Sequence, residues 1–513
     1  MTTRTTLMRR KLSQMGSDSK LSMEIPKPQI DVFSQTGRSA DEQRRKIASW
    51  GLERFQMSKN DRWRQEKQWY LNLAFFFGQQ HVTFRGPQNN YELYVPSAPY
   101  YKVRTVINHT RKIIRKDIAR LTAQKPNAYI MPASSEDQDV FAANAGEQIW
   151  DSLWRKHNFN RVVRNTCFWL STCGNGFIKQ YWDETKKDVY NPEAQGDLCF
   201  EAITPFHVFI ADLKEEELEQ QPMLVHATLK NVEWIKKFYG LDVLPQATDN
   251  VISDSFLNIL GADQFSAKNQ ALLLEIYAKP GITELLPEGG YFSVVGSQIV
   301  NGKEGMPYSH NKYPFSKIDN IPTGKFYNES IIVDLIPLQR ELNRTRGQIT
   351  EAKNRTSKPQ LTAEKGSVDA RKITSEPGLV IEYRTGFQPP QPLPLQDVPS
   401  YVLQEVDRIL VDMADLSGQH EVSKGQTPPG VTAATAISFL QEQDESLLSV
   451  AYDSLEEGIE NTAQQTLCLV KDYWDTERTV KVTGLDGSFD ALIFKGSQLN
   501  NNTDIHVEGG SSL

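Results

Sequence analysis

GSQIVNGKEG, residues 296–305, comes nearest in this chain to a phosphate cradle. Such a loop lets glycine backbone N–H groups converge on phosphate, with a lysine at fixed spacing and a Ser or Thr hydroxyl on magnesium. Here one residue too many precedes Gly302 and Lys303, and Glu304 stands where the hydroxyl belongs. A β-turn at Gly296 is the better reading. Cys167 and Cys173 could share a metal, but the four cysteines include no CxxC pair and no histidine at zinc-finger spacing, so buried free thiols are expected. No GxSxG elbow and no HExxH occur, and the eight histidines are scattered. The residues therefore imply no enzyme, no catalytic residue, no metal and no cofactor.

What stands out instead is charge on thin helices. LIPLQRELNRTRGQITEAKNRTSKP, residues 335–359, carries Arg340, Arg344, Arg346, Lys353 and Arg355 around a narrow seam of Leu338, Leu342, Thr345, Ile349, Ala352 and Thr356. Residues 400–418 repeat the pattern with the opposite sign. Glu405, Asp407, Asp412 and Asp415 surround Leu403, Val406, Leu410 and Met413. Two such rods, packed antiparallel, neutralise one another. One pair alone would be half exposed, so further copies arranged head to tail are expected to complete it.

These rods need a body to hold them. At 513 residues the chain exceeds what one core usually serves, and at least two packed modules are expected. A net charge of −7 argues against coating nucleic acid by charge. The basic N-terminus with Arg4, Arg9, Arg10 and Lys11 reads as a solvated arm. It is followed by no apolar region, and nowhere do about 18 apolar residues run together, so neither secretion nor membrane crossing is expected.

Apolar spacing predicts a helix over residues 40–77, with Ile47, Trp50, Leu52, Phe55, Trp63, Trp69 and Leu73 inward. A second runs from residue 106 to Pro126, with Val106, Ile107, Ile113, Ile114, Ile118 and Leu121 on one face. A third spans 137–157 and buries Phe141, Ile149, Trp150 and Leu153. Alternating runs predict a mixed strand module over 176–322, with a loop-rich insertion at 249–268. Residues 328–358 return to helix. Residues 359–399 form a Pro-rich lobe with a strand-like GLVIEY, and 400–418 are helical again. After the polar loop QHEVSKGQTPPG, residues 432–474 predict a helix on the order of 60 Å long, interrupted only at Gly458. TVKVTG and FDALIFKG are strand candidates, and no internal repeat is found.

NESIIVDLIPLQRELNRTRGQITEAKNRTSKP, ITSEPGLVIEY and DLSGQHEVSKGQTPPGVTAATAISFLQEQDESL, with FFFGQQ, INHTRKIIRKDIARLTAQKPNAYIMPAS and CGNGFIKQYWD upstream, resemble the portal proteins of tailed double-stranded-DNA bacteriophages of the short-tailed type. The likeness spans roughly residues 65–510, and its specific motifs lie between 328 and 448. It implies an α+β, mainly helical portal fold. Residues 1–39 would be an N-terminal arm, 40–327 the wing, 328–358 and 400–418 the stem helices, and 359–399 the clip. Residues 419–430 would be the tunnel loop, 431–474 the long wing helix, and 475–513 the terminal strands with the start of a short crown.

By that resemblance, about twelve copies close into a ring at one capsid vertex. Double-stranded DNA passes through it during packaging and ejection. Implied partners are the terminase large subunit, a tail adaptor, and the major capsid and scaffolding proteins, with no membrane; assembly would take place in the host cytoplasm. His420, Glu421, Lys424, Gln426 and Thr427 would approach DNA from the tunnel loop. The rod charges named above would pair between subunits, and Lys365, Arg371, Lys372, Glu376 and Arg384 would meet partners on the clip. A packaging ATPase would need the phosphate loop that is absent here. A tail adaptor or scaffold would share the helices and the acidity but not the strand module between helical regions.

Overall fold

A computed structural model of the chain describes residues 33, 37–86, 93–99, 101–123, 126–132, 134–188, 194–245, 269–357, 360–374, 376–393, 399–419, 447–483, 489–499 and 505–508. Among the described residues helix outweighs strand, as a mainly helical α+β reading requires.

The described elements run α1 (Arg38–Phe77), β1 (Thr83–Phe84), β2 (Leu93–Tyr94), α2 (His109–Leu121), β3 (Asn127–Ile130), α3 (Asp137–Lys156), α4 (Phe159–Cys173), β4 (Asn175–Lys187) and β5 (Gln195–Ile203). They continue with β6 (Val208–Ile210), β7 (Met223–Asn231), α5 (Val232–Tyr239), β8 (Gln270–Ala278), β9 (Gly290–Val295), β10 (Gln298–Glu304) and β11 (Phe315–Asp319). Then follow α6 (Ile332–Ser357), β12 (Leu361–Thr362), β13 (Gln391–Pro392), α7 (Ser400–Ser417), α8 (Ser449–Tyr473), β14 (Arg478–Thr483), β15 (Phe489–Phe494) and β16 (Ile505–Glu508).

Two antiparallel sheets organise the body, one in the order β10-β9-β8-β7-β6 and one in the order β11-β4-β5. The first half of α1 lays Ile47, Ala48 and Phe55 on the larger sheet, against Phe209, Val225, Ile276 and Phe292. Its second half, Trp69 to Phe76, enters a separate core with Phe177, Phe206, Phe315 and Ile332. Between the halves sits Arg62, only 1% exposed. Its guanidinium donates to the carbonyls of Pro205, Phe206 and Val208 at 2.9, 3.0 and 2.5 Å. It also lies 3.6 Å from the Phe209 ring centroid and pairs with Glu66 at 3.2 Å. One cation thus satisfies the backbone of the turn that leads into β6.

The two sheets are pinned by a buried charge cluster. Lys179 of β4 meets the Glu275 carboxylate of β8 at 2.6 Å, and His226 Nδ1 of β7 meets the same oxygen at 2.5 Å. Burial alone would push the Glu275 carboxyl up, but the Lys179 ammonium and the His226 ring outweigh it and hold the group well below the usual carboxylate range.

A third core joins α3, α4 and α8, where Trp150, Phe159, Leu170, Ile459 and Leu467 meet Ile318 of β11. Helix α8 continues through Gly458 rather than breaking there. A Cβ at that position would stand 2.4 Å from Ile318 Cγ1, so the glycine admits a close helix-to-strand approach. The remainder of the expected long helix, residues 432–446, lies outside the described residues. The strands read in TVKVTG and FDALIFKG pair antiparallel as β14 and β15, and β16 pairs with β3. The turn expected at Gly296 is a two-residue connection between β9 and β10, with Gly296 at φ 62.

Several expected inward faces are corrected. Helix α2 starts at His109 because the Asn108 side chain caps it, accepting from the Arg111 amide; Val106 and Ile107 precede it and are exposed. Phe141 is 57% exposed, and α3 instead buries Ala142, Ala143, Ala145 and Gly146. Trp63 points outward, with the Lys67 ammonium 3.4 Å from its ring centroid. GLVIEY forms no strand, and among the described residues the lobe's ladder is β12 with β13.

Candidate assembly site: the helical hairpin and its root

Helix α6 leaves the body through Ile332 and Ile336, which lie in the core with Trp69 and Phe75. At the far end Leu361 and Thr362 pair with Pro392 and Gln391. Helix α7 then returns, and Gln419 beyond it donates to the Ile113 carbonyl of α2 at 3.1 Å. The two rods are therefore the antiparallel arms of one hairpin. Leu335 and Leu342 meet Val406, Ile409 and Met413 across the seam, with Ile113 underneath. Packing concentrates near the body. Leu338, Ile349 and Leu410 are partly buried, whereas Thr356 and Leu403 are exposed, so the expected seam thins outward.

A polar network holds the root. Gln339, fully buried, accepts at Oε1 from the amides of His109 and Thr110 at 3.0 and 3.2 Å, and donates from Nε2 to the Ile107 carbonyl at 2.9 Å. Asn343 donates to Gln80 Oε1 at 2.6 Å and accepts from the Ile107 amide at 3.3 Å. Farther out, Glu351 accepts from the Val103 amide at 3.1 Å. Gln339 thus serves the first amides of α2, which have no acceptor within their own helix, while Asn343 and Glu351 tie down the segment leading into it. None of them was singled out from sequence; the signal was an Asn-His-Thr cap followed by an amphipathic run.

On the α7 side, Gln419 Nε2 also donates to Asp117 Oδ1 at 2.7 Å. Burial pushes the Asp117 carboxyl up to about 7, although the Gln419 bond and the nearby Arg120 and Lys116 charges oppose it. The folded state therefore keeps this proton well above the pH at which an unfolded Asp releases it. Stability carries no Asp117 cost below about pH 4, falls as pH rises towards 7, and bears the full cost above. Asp117→Asn, which keeps the acceptor, should flatten that slope and add about 2–4 kcal/mol at pH 8. Urea unfolding at pH 5 and pH 8 checks this; an unchanged difference between the two variants would contradict it.

Among the rod charges, Arg344 pairs within its own helix, with Glu341 at 3.8 Å, and both side chains are largely exposed. Arg340 lies 5.3 Å from the Phe75 ring centroid and donates to the Val82 carbonyl at 3.4 Å. Arg346 is half-buried, with Nε lacking an acceptor. Lys353 and Arg355 are exposed near the outer end, and Glu405, Asp407, Asp412 and Asp415 are exposed along α7. Among the described residues, Arg340, Glu405, Asp407 and Asp412 have no ion pair. On the lobe, Lys365, Arg371, Lys372, Glu376 and Arg384 are all exposed. His420, Glu421, Lys424, Gln426 and Thr427 lie outside the described residues.

The opposite flank of α6 borders a cleft of about 600 Å³ lined by His81, Lys102, Arg104, Arg340, Arg344 and Glu351, among others. Four cations thus face a single carboxylate, one of whose oxygens already takes the Val103 amide. Burial first, and then the nearby charges of Arg104 and Lys102, lower the His81 pKa. Cys167 and Cys173 are buried thiols pushed up to about 12 by desolvation, the reverse of a metal-binding thiolate. Among the described residues, no helix is long and apolar enough to cross a membrane.

No curated protein matches the chain. Residues 291–505 match the family model described as Phage P22-like portal protein, a span that runs from β9 through the hairpin, the lobe and α8 into the terminal strands, and over that span the chain is similar to this family.

Proposed function

We propose that this chain is a portal protein whose copies close head to tail into a ring of about twelve at one capsid vertex, with duplex DNA packaged and ejected through its axis. Residues 40–327 are the wing, α6 and α7 the stem, 359–399 the clip and 419–430 the tunnel loop. The portal itself is structural, and the terminase large subunit supplies ATP hydrolysis. The clip docks that motor and later the tail adaptor, while the wing meets capsid and scaffolding proteins.

The observation that carries this reading is a two-helix hairpin rooted in the body by buried polar side chains and ending in a lobe with almost every described side chain exposed. Leu361, Val380, Ile381, Tyr383 and Leu393 are all exposed there. A lobe of that kind gains stability by burying those residues against a partner.

Duplex carries one charge per roughly 1.7 Å, so a lining that neutralised it tightly would stall its passage. The tunnel loop holds one lysine, Lys424, beside Glu421, with His420, Gln426 and Thr427. Lys424→Glu should leave ring assembly intact yet change the amount of DNA packaged or retained. Particles filled and sealed like wild type would count against the loop's contact with DNA.

A further inference from the structure

The helical turn, at about 100° per residue, fixes which sides of the two rods remain open. On α6, Leu335, Leu342 and Ile349 face α7, and Arg340, Arg344 and Glu351 lie on the opposite side, at the cleft. On α7, Val406, Ile409 and Met413 face inward, so the side turned away from α6 presents Tyr401, Arg408, Val411 and Asp415, with Asp407 and Asp412 on its shoulders.

That outer side is built for contact. Tyr401 is 68% exposed and Val411 57%, bulky apolar groups that a hairpin finished in solvent would not need. Asp407 and Asp412 beside them have no cation partner among the described residues. The cleft offers the complement. Lys102, Arg104 and Arg340 have no carboxylate partner among the described residues, and His81 Nε2 is buried without an acceptor.

A cation-lined face on one side of the hairpin and an acidic, partly apolar face on the other make a heterologous pair, the kind that repeats around an axis. We infer that the cleft between α6 and residues 80–83 and 102–104 seats the outer face of α7 from the neighbouring copy, opposing Lys102, Arg104, Arg340 and Arg344 to Asp407 and Asp412 around Val411. This rests on the ring reading above and adds the body residues Lys102 and Arg104 to the subunit contact. Duplex DNA is the other polyanion that such a cleft could hold. The complementary acidic face on the same chain favours a second copy, because it would otherwise remain uncompensated.

The test uses full-length chain with exposed residues only: Lys102→Glu with Arg344→Glu in the cleft, and Asp407→Lys with Asp412→Lys on α7. Assembly is followed by sedimentation velocity and native mass spectrometry at about 150 mM salt, where surface charge is partly screened. Each pair alone should weaken association about tenfold or more, since every copy carries the defect at both of its contacts. Combining all four changes, or mixing the two double variants, should restore rings, which also shows that the variants fold. Wild-type rings with both double variants assembling normally would overturn the inference while leaving the ring reading intact. A wild-type chain that stays monomeric would remove the ring reading itself. Normal assembly with loss of binding to a duplex oligonucleotide in the cleft variant would reassign the cleft to DNA and overturn the inference.

Discussion

Gln339→Leu is expected to destabilise the protein by about 3–5 kcal/mol and to loosen the hairpin from the body. Leucine keeps the volume but returns nothing to the amides of His109 and Thr110 or to the Ile107 carbonyl, which Gln339 now serves from a fully buried position. The amide of Thr110 lies in the first turn of α2, where no intrahelical acceptor exists, so its loss is not made good locally. Unfolding in urea gives the magnitude, and hydrogen exchange at Thr110 gives the location. A cost below about 1 kcal/mol, with Thr110 still protected, would mean that the root is held by the apolar seam alone.

Arg62→Met should cost as much or more, about 3–5 kcal/mol, in a different part of the body. Methionine preserves the packing of the stem of the side chain but removes the guanidinium donor from the carbonyls of Pro205, Phe206 and Val208 and the cation from Glu66; Val208 keeps the Tyr327 hydroxyl and Pro205 the Val208 amide, so the Phe206 carbonyl bears most of the loss. Arg62→Lys retains charge on a narrower head and should recover less than half of the loss. Equal stability of the Lys variant and wild type would show that charge near Phe209, rather than the three-carbonyl geometry, is what matters.

Both of these residues were invisible as anchors in the sequence, for one reason. Arginine and glutamine inside amphipathic runs read as the solvated face, and only tertiary contacts reveal that the run turns that face inward. Where apolar periodicity dominates, the sequence was a good guide: α1, α2, α6, α7 and the β14–β15 pair lie close to where spacing put them. Phe141 shows the limit of that guide. The wheel assigns the aromatic to the core, but α3 approaches its neighbours so closely at Gly146, where a Cβ would stand 2.6 Å from Ile130 Cδ1, that small residues take the inner face. GLVIEY fails differently. Its alternation suits a strand, yet a ladder requires a second strand in reach, and among the described residues the lobe offers the pair β12 and β13 alone.

For the assembly site, charge type and spacing marked the two rods but not which sides of them stay open. That depends on the rotation fixed by Leu342 against Val406 and Ile409. The same rotation brings Arg340 and Arg344 beside Lys102 and Arg104, residues more than two hundred positions away in the chain. No local pattern could have joined them.

Single-particle images of the purified full-length protein test the central claim most directly. A closed ring with an axial opening, walled by α6 and α7 and with the 359–399 lobes gathered at one end, is the expected result. Isolated copies at high concentration, or a closed assembly with the hairpins on its outer rim and no opening, would contradict it.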